Sequence, residues 1–183
     1  MSLCIIKVNL WQVWSTQYKR TQQTAEFIDA EVRTEEALGE ILAGDYDELT
    51  YEEIAERFPV EFALRDKDKL HYRYPNGESY MDVVQRIQPL LKQIQKTNNL
   101  LIISHQATLR CLLALLIDCP MDQLPYLKIP LHTVIQLSFS NGEVMMQQMR
   151  LPVECVDTHR VKPMNCDLNR NLQDACLTIP AHY

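Results

Sequence analysis

The sequence predicts an α/β fold around a mixed sheet, and three observations carry that prediction. Strand-like and helix-like segments alternate along the chain, as they do when helices cover the faces of a sheet. Leu100-Leu101-Ile102-Ile103-Ser104 is a continuous apolar run bounded by polar residues, the mark of a central strand buried on both faces. Val134 to Phe139 and Val144 to Met149 flank Ser140-Asn141-Gly142, whose Asn-Gly pair favours the tight turn that matches strand twist. The last feature adds an antiparallel hairpin, so the sheet is expected to be mixed.

Each element has a local reason. Ile5-Ile6-Lys7-Val8-Asn9-Leu10 alternates imperfectly and reads as a first strand. Ser15 or Thr16 is expected to cap a helix from Gln17 to about Ile28, with Tyr18, Thr21, Ala25 and Ile28 inward. Lys19 and Arg20 fall in its first turn, where they oppose the helix dipole unless an anion or carboxylate compensates them. From Thr34 to Gly77 the chain is first acidic and then basic, a long excursion. Within it Thr50 and Glu53 stand in capping-box register for a short helix from Tyr51 to Arg57, stopped by Pro59. After the turn at Pro75-Asn76-Gly77, Ser79 and Asp82 cap a helix with Val83, Ile87 and Ile94 on one face. His105 follows the central strand directly, and Gln106 to Ile117 forms an apolar helix. In open α/β sheets that strand-to-helix junction is where ligands bind. Residues 153–183 show no sustained period and read as a tail.

With 183 residues, 46% hydrophobic and 23% charged, the chain fits one globular domain that needs no metal or disulfide to hold its core. A net charge of −6 argues against nucleic acid as the main partner, so any anion site must be local. The six cysteines form no CxxC pair and no zinc-like spacing with histidine, and neither a metal nor another cofactor is expected. Reduced thiols and a cytoplasmic location are expected, and the apolar stretch from Cys111 to Ile117 is far short of the ~20 residues that span a bilayer.

The sharpest chemistry lies in Ser104-His105-Gln106 with Arg110. Free N–H groups at a helix start bind anions, and Arg110 adds a charge able to grip phosphate through two parallel hydrogen bonds. The plainer reading is that His105 only caps the helix. Arg20, Arg65, Lys69 and Arg110 are cations scattered over a net acidic chain, and by itself Lys69, beside Asp66 and Asp68, reads as an exposed loop residue. Glu40 stands between Gly39 and Ile41-Leu42. Desolvation there would raise its pKa and suit it to general acid work, although a partly exposed loop carboxylate is the commoner case. Tyr51 and Tyr80 are suited to donate to phosphate or sugar oxygens, or to sit half-buried in the core.

Several segments together resemble one family: Val13-Trp14-Ser15-Thr16, Lys19-Arg20-Thr21, Leu49-Thr50-Tyr51-Glu52-Glu53-Ile54, Phe62-Ala63-Leu64-Arg65-Asp66, Gly77-Glu78-Ser79-Tyr80, His105-Gln106-Ala107 with Arg110-Cys111-Leu112-Leu113-Ala114, and Pro130-Leu131-His132-Thr133-Val134. They are similar to the fructose-2,6-bisphosphatase branch of the histidine phosphatase, or phosphoglycerate mutase-like, superfamily. Thr158-His159-Arg160 and Pro180-Ala181-His182-Tyr183 also look like that branch's carboxyl end. The resemblance implies a three-layer fold with a mostly parallel mixed sheet, residues 13–151 as the phosphatase domain, 1–12 as a divergent segment and 152–183 as a tail. It also implies hydrolysis of fructose 2,6-bisphosphate, or a related sugar phosphate, through a phosphohistidine. Glu40 would be the proton donor, His105 the second histidine and Arg20 a phosphate ligand, with Tyr51, Arg65, Lys69, Tyr80, Gln106 and Arg110 touching substrate.

One departure matters. The family's nucleophile sits in an Arg-His-Gly-Glu motif on the first strand, which residues 1–183 do not contain, and residues 1–12 hold no histidine. Nor do they contain the kinase domain, with its P-loop, of the bifunctional members. Loss of the nucleophile is expected to cost many orders of magnitude in rate. It would also leave a gap in the sheet, which Leu3-Cys4-Ile5-Ile6 is the one segment placed to fill, although its link to Val13 is too short for a crossover helix. An unfilled edge would invite pairing with another copy or with an intact homologue. An active phosphatase, a non-catalytic module that binds a sugar bisphosphate, and a fragment that does not fold stably all remain open at this level.

Overall fold

A computed structural model describes residues 12–164, the backbone of Leu3–Ile5, and residues 166, 167, 169 and 171. Its centre is the predicted strand Leu100–Ser104 (β4), buried at every position. Gln12–Ser15 (β2) pairs with it in parallel, Val13 opposite Leu101. Glu31–Thr34 (β3) extends the sheet in parallel beyond β2, as an exposed edge strand that the sequence pattern did not announce. On the other side, Thr133–Ser140 (β5) and Glu143–Arg150 (β6) form the predicted hairpin. Asn141 and Gly142 at its turn both have positive φ, 52° and 81°, as the Asn-Gly signal requires.

Between β4 and β5 lies Leu3–Ile5 (β1), completing a six-stranded sheet in the order β3-β2-β4-β1-β5-β6. The gap anticipated in the sheet is therefore closed. The strand runs antiparallel to β4, with Leu3 opposite Ser104 and Ile5 opposite Ile102, and parallel to β5. This direction explains how so short a link suffices. Ile5 lies toward the end of β4 where β2 begins, at Gln12 opposite Leu100, so no helix has to carry the chain back. Most of the first strand expected between Ile5 and Leu10 lies outside the described residues.

The alternation of β4 sorts the core into two layers. Leu100 and Ile102 pack with Trp14 against Tyr80–Lys96 (α4) and Gln106–Leu116 (α5). Leu101 and Ile103 pack with Val13 and Ala25 on the opposite face, beneath Lys19–Ala25 (α1). Helix, sheet and helix thus make three layers. The first helix is shorter than expected and neither Ser15 nor Thr16 caps it. Ser15 ends β2, Tyr18 is the N-cap, and only Thr21 and Ala25 of α1 are buried.

Both predicted capping boxes form. Thr50 opens Tyr51–Arg57 (α2) with Glu53, and Ser79 opens α4 with Asp82. Pro59 does not end helical structure, however. It starts a further helix, Pro59–Lys67 (α3), at the N-terminal turn where proline's missing N–H costs nothing. That helix buries Phe62, Ala63, Arg65 and Asp66, so the acidic-to-basic excursion is a second small core, centred on Phe62, Ile54, Tyr46 and Tyr74. Gly44, at φ 55°, lets the loop after Glu40 cross the Pro75 turn, since a Cβ there would come 2.0 Å from the Pro75 carbonyl oxygen. Over residues 151–164 the chain is irregular, and within this segment Arg160 is only 3% exposed.

Candidate active site

The site begins where β2 and β4 end side by side. His105, 2% exposed, leaves β4 and precedes α5. Its side chain makes no capping bond to the helix, so the capping role is ruled out. Instead the Arg20 guanidinium donates to Nδ1, from Nε at 3.1 Å and from Nη2 at 2.7 Å. An Nδ1 that accepts fixes a neutral ring carrying its proton on Nε2. That N–H points at Thr16 Oγ1, 3.1 Å away. Thr16 Oγ1 lies 2.7 Å from Thr21 Oγ1, which donates to the Tyr18 carbonyl at 2.7 Å. The donors therefore run in one direction from His105 through two threonines to a backbone oxygen. Burial, followed by the charge of Arg20, pushes the His105 pKa down to about 3.

Glu40 sits beside this pair, with Oε2 3.9 Å from His105 Nδ1 and Oε1 accepting from the Ile41 N–H at 2.9 Å. Burial raises its pKa against the opposing pull of the Ile41 N–H and of Arg20, Arg110 and Arg86, while the side chain stays 29% exposed on its loop, the commoner case foreseen for it. The loop that carries Glu40 is pinned from three elements, β4, α5 and α4. Ser104 and Thr108 donate to the carbonyls of Leu38 and Gly39 at 2.6 and 2.5 Å. From α4, Arg86 donates to the carbonyls of Ala37, Gly39 and Glu40, and to the Glu78 carboxylate.

Next to this lies a cavity of about 460 Å³, lined by Glu40, Tyr51, Tyr74, Gln106 and Thr158 among others. Behind it sits an unusual concentration of charge. Among the described residues, the buried charged side chains other than His105 are Arg65, Lys69, Arg110, Arg160 and Asp66, four cations to one carboxylate. Arg65 donates to the Tyr74 and Tyr51 hydroxyls at 2.6 and 3.2 Å, and its Nη1 is buried with no hydrogen-bond partner. Arg110 donates to the Leu127 carbonyl at 2.8 Å and to the Tyr80 hydroxyl at 3.1 Å. Lys69 is not an exposed loop residue. It is 4% exposed, donates to the Pro125 carbonyl at 3.0 Å, and lies over the Tyr126 and Tyr80 rings. Burial and then the charges of Arg110, Arg65 and Arg160 hold its pKa well below the usual lysine value. Gln106 donates to the Ile129 carbonyl and the Thr158 hydroxyl. A buried cation is expensive unless something negative meets it, so the pocket is built for an anion.

Arg20, Glu40 and His105 thus form one cluster, and Arg65, Lys69, Tyr80 and Arg110 another, with Tyr51 and Gln106 on the cavity wall between them. Sequence reasoning missed Thr16 and Arg86 and gave Arg160 no role. Thr16 was read as a helix cap, and an arginine on the polar side of α4 carries no sign of which carbonyls it will meet.

The same α/β architecture is found in solved structures of phosphatases. The alpha-ribazole phosphatase from Shigella flexneri superposes with a TM-score of 0.65 at 21% identity, covering 81% of this chain and 78% of that one. A mycobacterial glucosyl-3-phosphoglycerate phosphatase superposes with a TM-score of 0.63 at 22% identity, covering 78% and 76%. The architecture is phosphoglycerate mutase-like.

The chain belongs to the histidine phosphatase superfamily, branch 1, whose sequence pattern matches residues 5–151. It is 50% identical over 172 residues to 6-phosphofructo-2-kinase/fructose-2,6-bisphosphatase 1 of Rattus norvegicus, covering 94% of this chain and 36% of the relative. The human protein numbered 4 in that series is 48% identical over 171 residues, covering 93% and 36%. The chain therefore spans about a third of the length of these curated relatives, over their fructose-2,6-bisphosphatase portion. No helix among the described residues is long and apolar enough to cross a membrane.

Proposed function

We propose that this chain binds fructose 2,6-bisphosphate and carries the acid, charge-stabilising and substrate-holding parts of its 2-phosphate hydrolysis. The observation that carries the reading is the juxtaposition of four buried cations with a neutral histidine and a carboxyl group whose pKa burial raises. One phosphate would meet Arg20 and His105. A dianion there competes for the guanidinium and favours a protonated imidazole, so His105 becomes a second donor. Glu40, whose raised pKa favours its protonated form, stands ready to protonate the departing sugar oxygen. Arg65, Lys69 and Arg110 would hold the second phosphate, with Tyr51, Tyr80 and Gln106 on the sugar.

Residues 1–183 supply no histidine at the position of the nucleophile. Of the two strands that flank β4, β2 ends at Ser15 and β1 is Leu3-Cys4-Ile5, running against β4. On this reading the 183-residue chain binds substrate and turns it over at most very slowly, because positioning and charge stabilisation remain while the covalent step is lost. Glycolytic control and a cytoplasmic location follow from the same proposal.

The test is calorimetric binding of fructose 2,6-bisphosphate to the chain, together with release of inorganic phosphate measured beside a Glu40→Gln control. Saturable binding with little release is expected. Rapid release abolished by Glu40→Gln would mean that another nucleophile, such as water, replaces histidine. Absence of binding overturns the proposal.

A further inference from the structure

Asp66 poses an electrostatic problem for an anion pocket. It follows Arg65 in α3, its side chain is fully buried, and its charge reaches the Lys69 ammonium. A carboxylate so placed would neutralise the cations that are meant to meet phosphate. The chain's answer comes from 94 residues away, in the irregular segment after β6. Arg160 Nη1 and Nη2 donate to Oδ1 and Oδ2 of Asp66, the second at 2.8 Å, in a two-pronged pair. The Arg160 guanidinium lies 4.8 Å from the Phe62 ring and 6.0 Å from that of Tyr51, and its Nε is buried without a hydrogen-bond partner. The same segment is fastened at two further points. Thr158 accepts from Gln106, and Lys128 donates to Asp157 at 2.5 Å.

We propose that Arg160 is a positioning residue for the anion pocket: by occupying both oxygens of Asp66 it keeps that carboxylate off Arg65 and Lys69, and so ties ligand affinity to the seating of residues 151–164. Arg65 fits this role on its own account, since its Nη1 faces no acceptor despite an acidic neighbour in sequence. The inference rests on the bisphosphate reading above and adds to it a reason for the site's charge.

The experiment is a double-variant cycle on the 183-residue chain, with fructose 2,6-bisphosphate and inorganic phosphate as separate calorimetric probes. Arg160→Met is expected to weaken binding about tenfold or more, because Asp66 turns to the pocket cations. Asp66→Asn alone is expected to leave affinity unchanged or improved. Arg160→Met with Asp66→Asn is expected to restore affinity to within about threefold of the parent. This double variant leaves no stranded buried charge, so it decides the matter even where Arg160→Met fails to fold. A double variant that stays weak would show that Arg160 touches the ligand or merely shapes the wall, and overturns the inference. A parent chain that binds phosphate but not fructose 2,6-bisphosphate overturns the sugar assignment alone, and the cycle is then read on phosphate. A parent that binds neither overturns both.

Discussion

The two ends of the site solve opposite problems. Around His105, both ring nitrogens have partners. Arg20, Thr16 and Thr21 form a directional chain that holds the ring neutral, and Ser104, Thr108 and Arg86 fix the loop of Glu40. Around Arg65, Lys69 and Arg110, three cations are buried together, the neighbouring Asp66 carboxylate is paired with Arg160, and a guanidinium nitrogen of Arg65 is left unpaired. The first arrangement is preorganised for proton handling and costs the fold little. The second stores an unmet demand for negative charge, which a bisphosphate would answer. Stability and binding should therefore respond differently to changes at the two ends.

The largest expected effect is at the cationic end. If the proposed function holds, Arg110→Ala should weaken fructose 2,6-bisphosphate binding by roughly 2–5 kcal/mol, since it removes a buried charge assigned there to the second phosphate. Unchanged affinity by calorimetry would break the comparison outright. Lys69→Met should separate binding from stability: affinity falls, while the chain gains about 0.5–2 kcal/mol, or about 2–4 °C of Tm for each kcal/mol. The sign follows from linkage. Below its normal range a lysine binds a proton more readily in the unfolded chain, so its presence costs stability at neutral pH and the cost eases as pH rises. A lowered melting temperature in the variant would show that Lys69 is satisfied by the protein itself.

The histidine end should be visible in pH dependence. With the folded pKa of His105 near 3, the unfolded chain binds a proton between pH 6.5 and about 3 that the folded chain refuses. Its stabilising contribution is present above pH 6.5 and is lost progressively as pH falls through that window. Glu40, with a raised pKa, acts in the opposite sense, stabilising below its usual carboxylate range and losing that contribution as pH rises. Melts from pH 7 to 4 on Glu40→Gln isolate the histidine. Failure of that variant to lose stability on acidification would contradict a neutral buried ring. Thr16→Val is expected to cost about 1–3 kcal/mol by thermal melt, because it deletes the hydrogen bonds of Thr16 Oγ1 with His105, Thr21 and the Tyr18 N–H and leaves the buried His105 Nε2 proton without an acceptor.

Much of the fold was legible because its signals are short in range. The two capping boxes, the buried run of β4 and the Asn-Gly hairpin each depend on residues within a few positions of one another. The missed elements are those that local rules leave undecided. The edge strand β3 has no apolar alternation to announce it, with all four residues exposed. Pro59 can end one helix or begin the next, and the chain uses it to begin α3. In the site, Glu40 was legible as a carboxylate in apolar company and His105 by its place after a central strand. Lys69 was not, because two aspartates beside it suggest solvent, whereas Tyr80, Tyr126 and the Pro125 carbonyl enclose it from distant parts of the chain.

By itself, then, the sequence determined the α/β class, the central strand, the hairpin, the capped helices and the family whose residue pattern it shares, since each is written in spacing and side-chain type. Only the tertiary structure decided the direction of β1 between β4 and β5, the burial of the cations, and the pairing of Asp66 with Arg160. The strand rests on backbone pairing with partners as distant as Val134 opposite Cys4, and the charges on Coulomb forces and desolvation between groups such as Asp66 and Arg160, and both depend on where the packed chain brings them and not on their order along it.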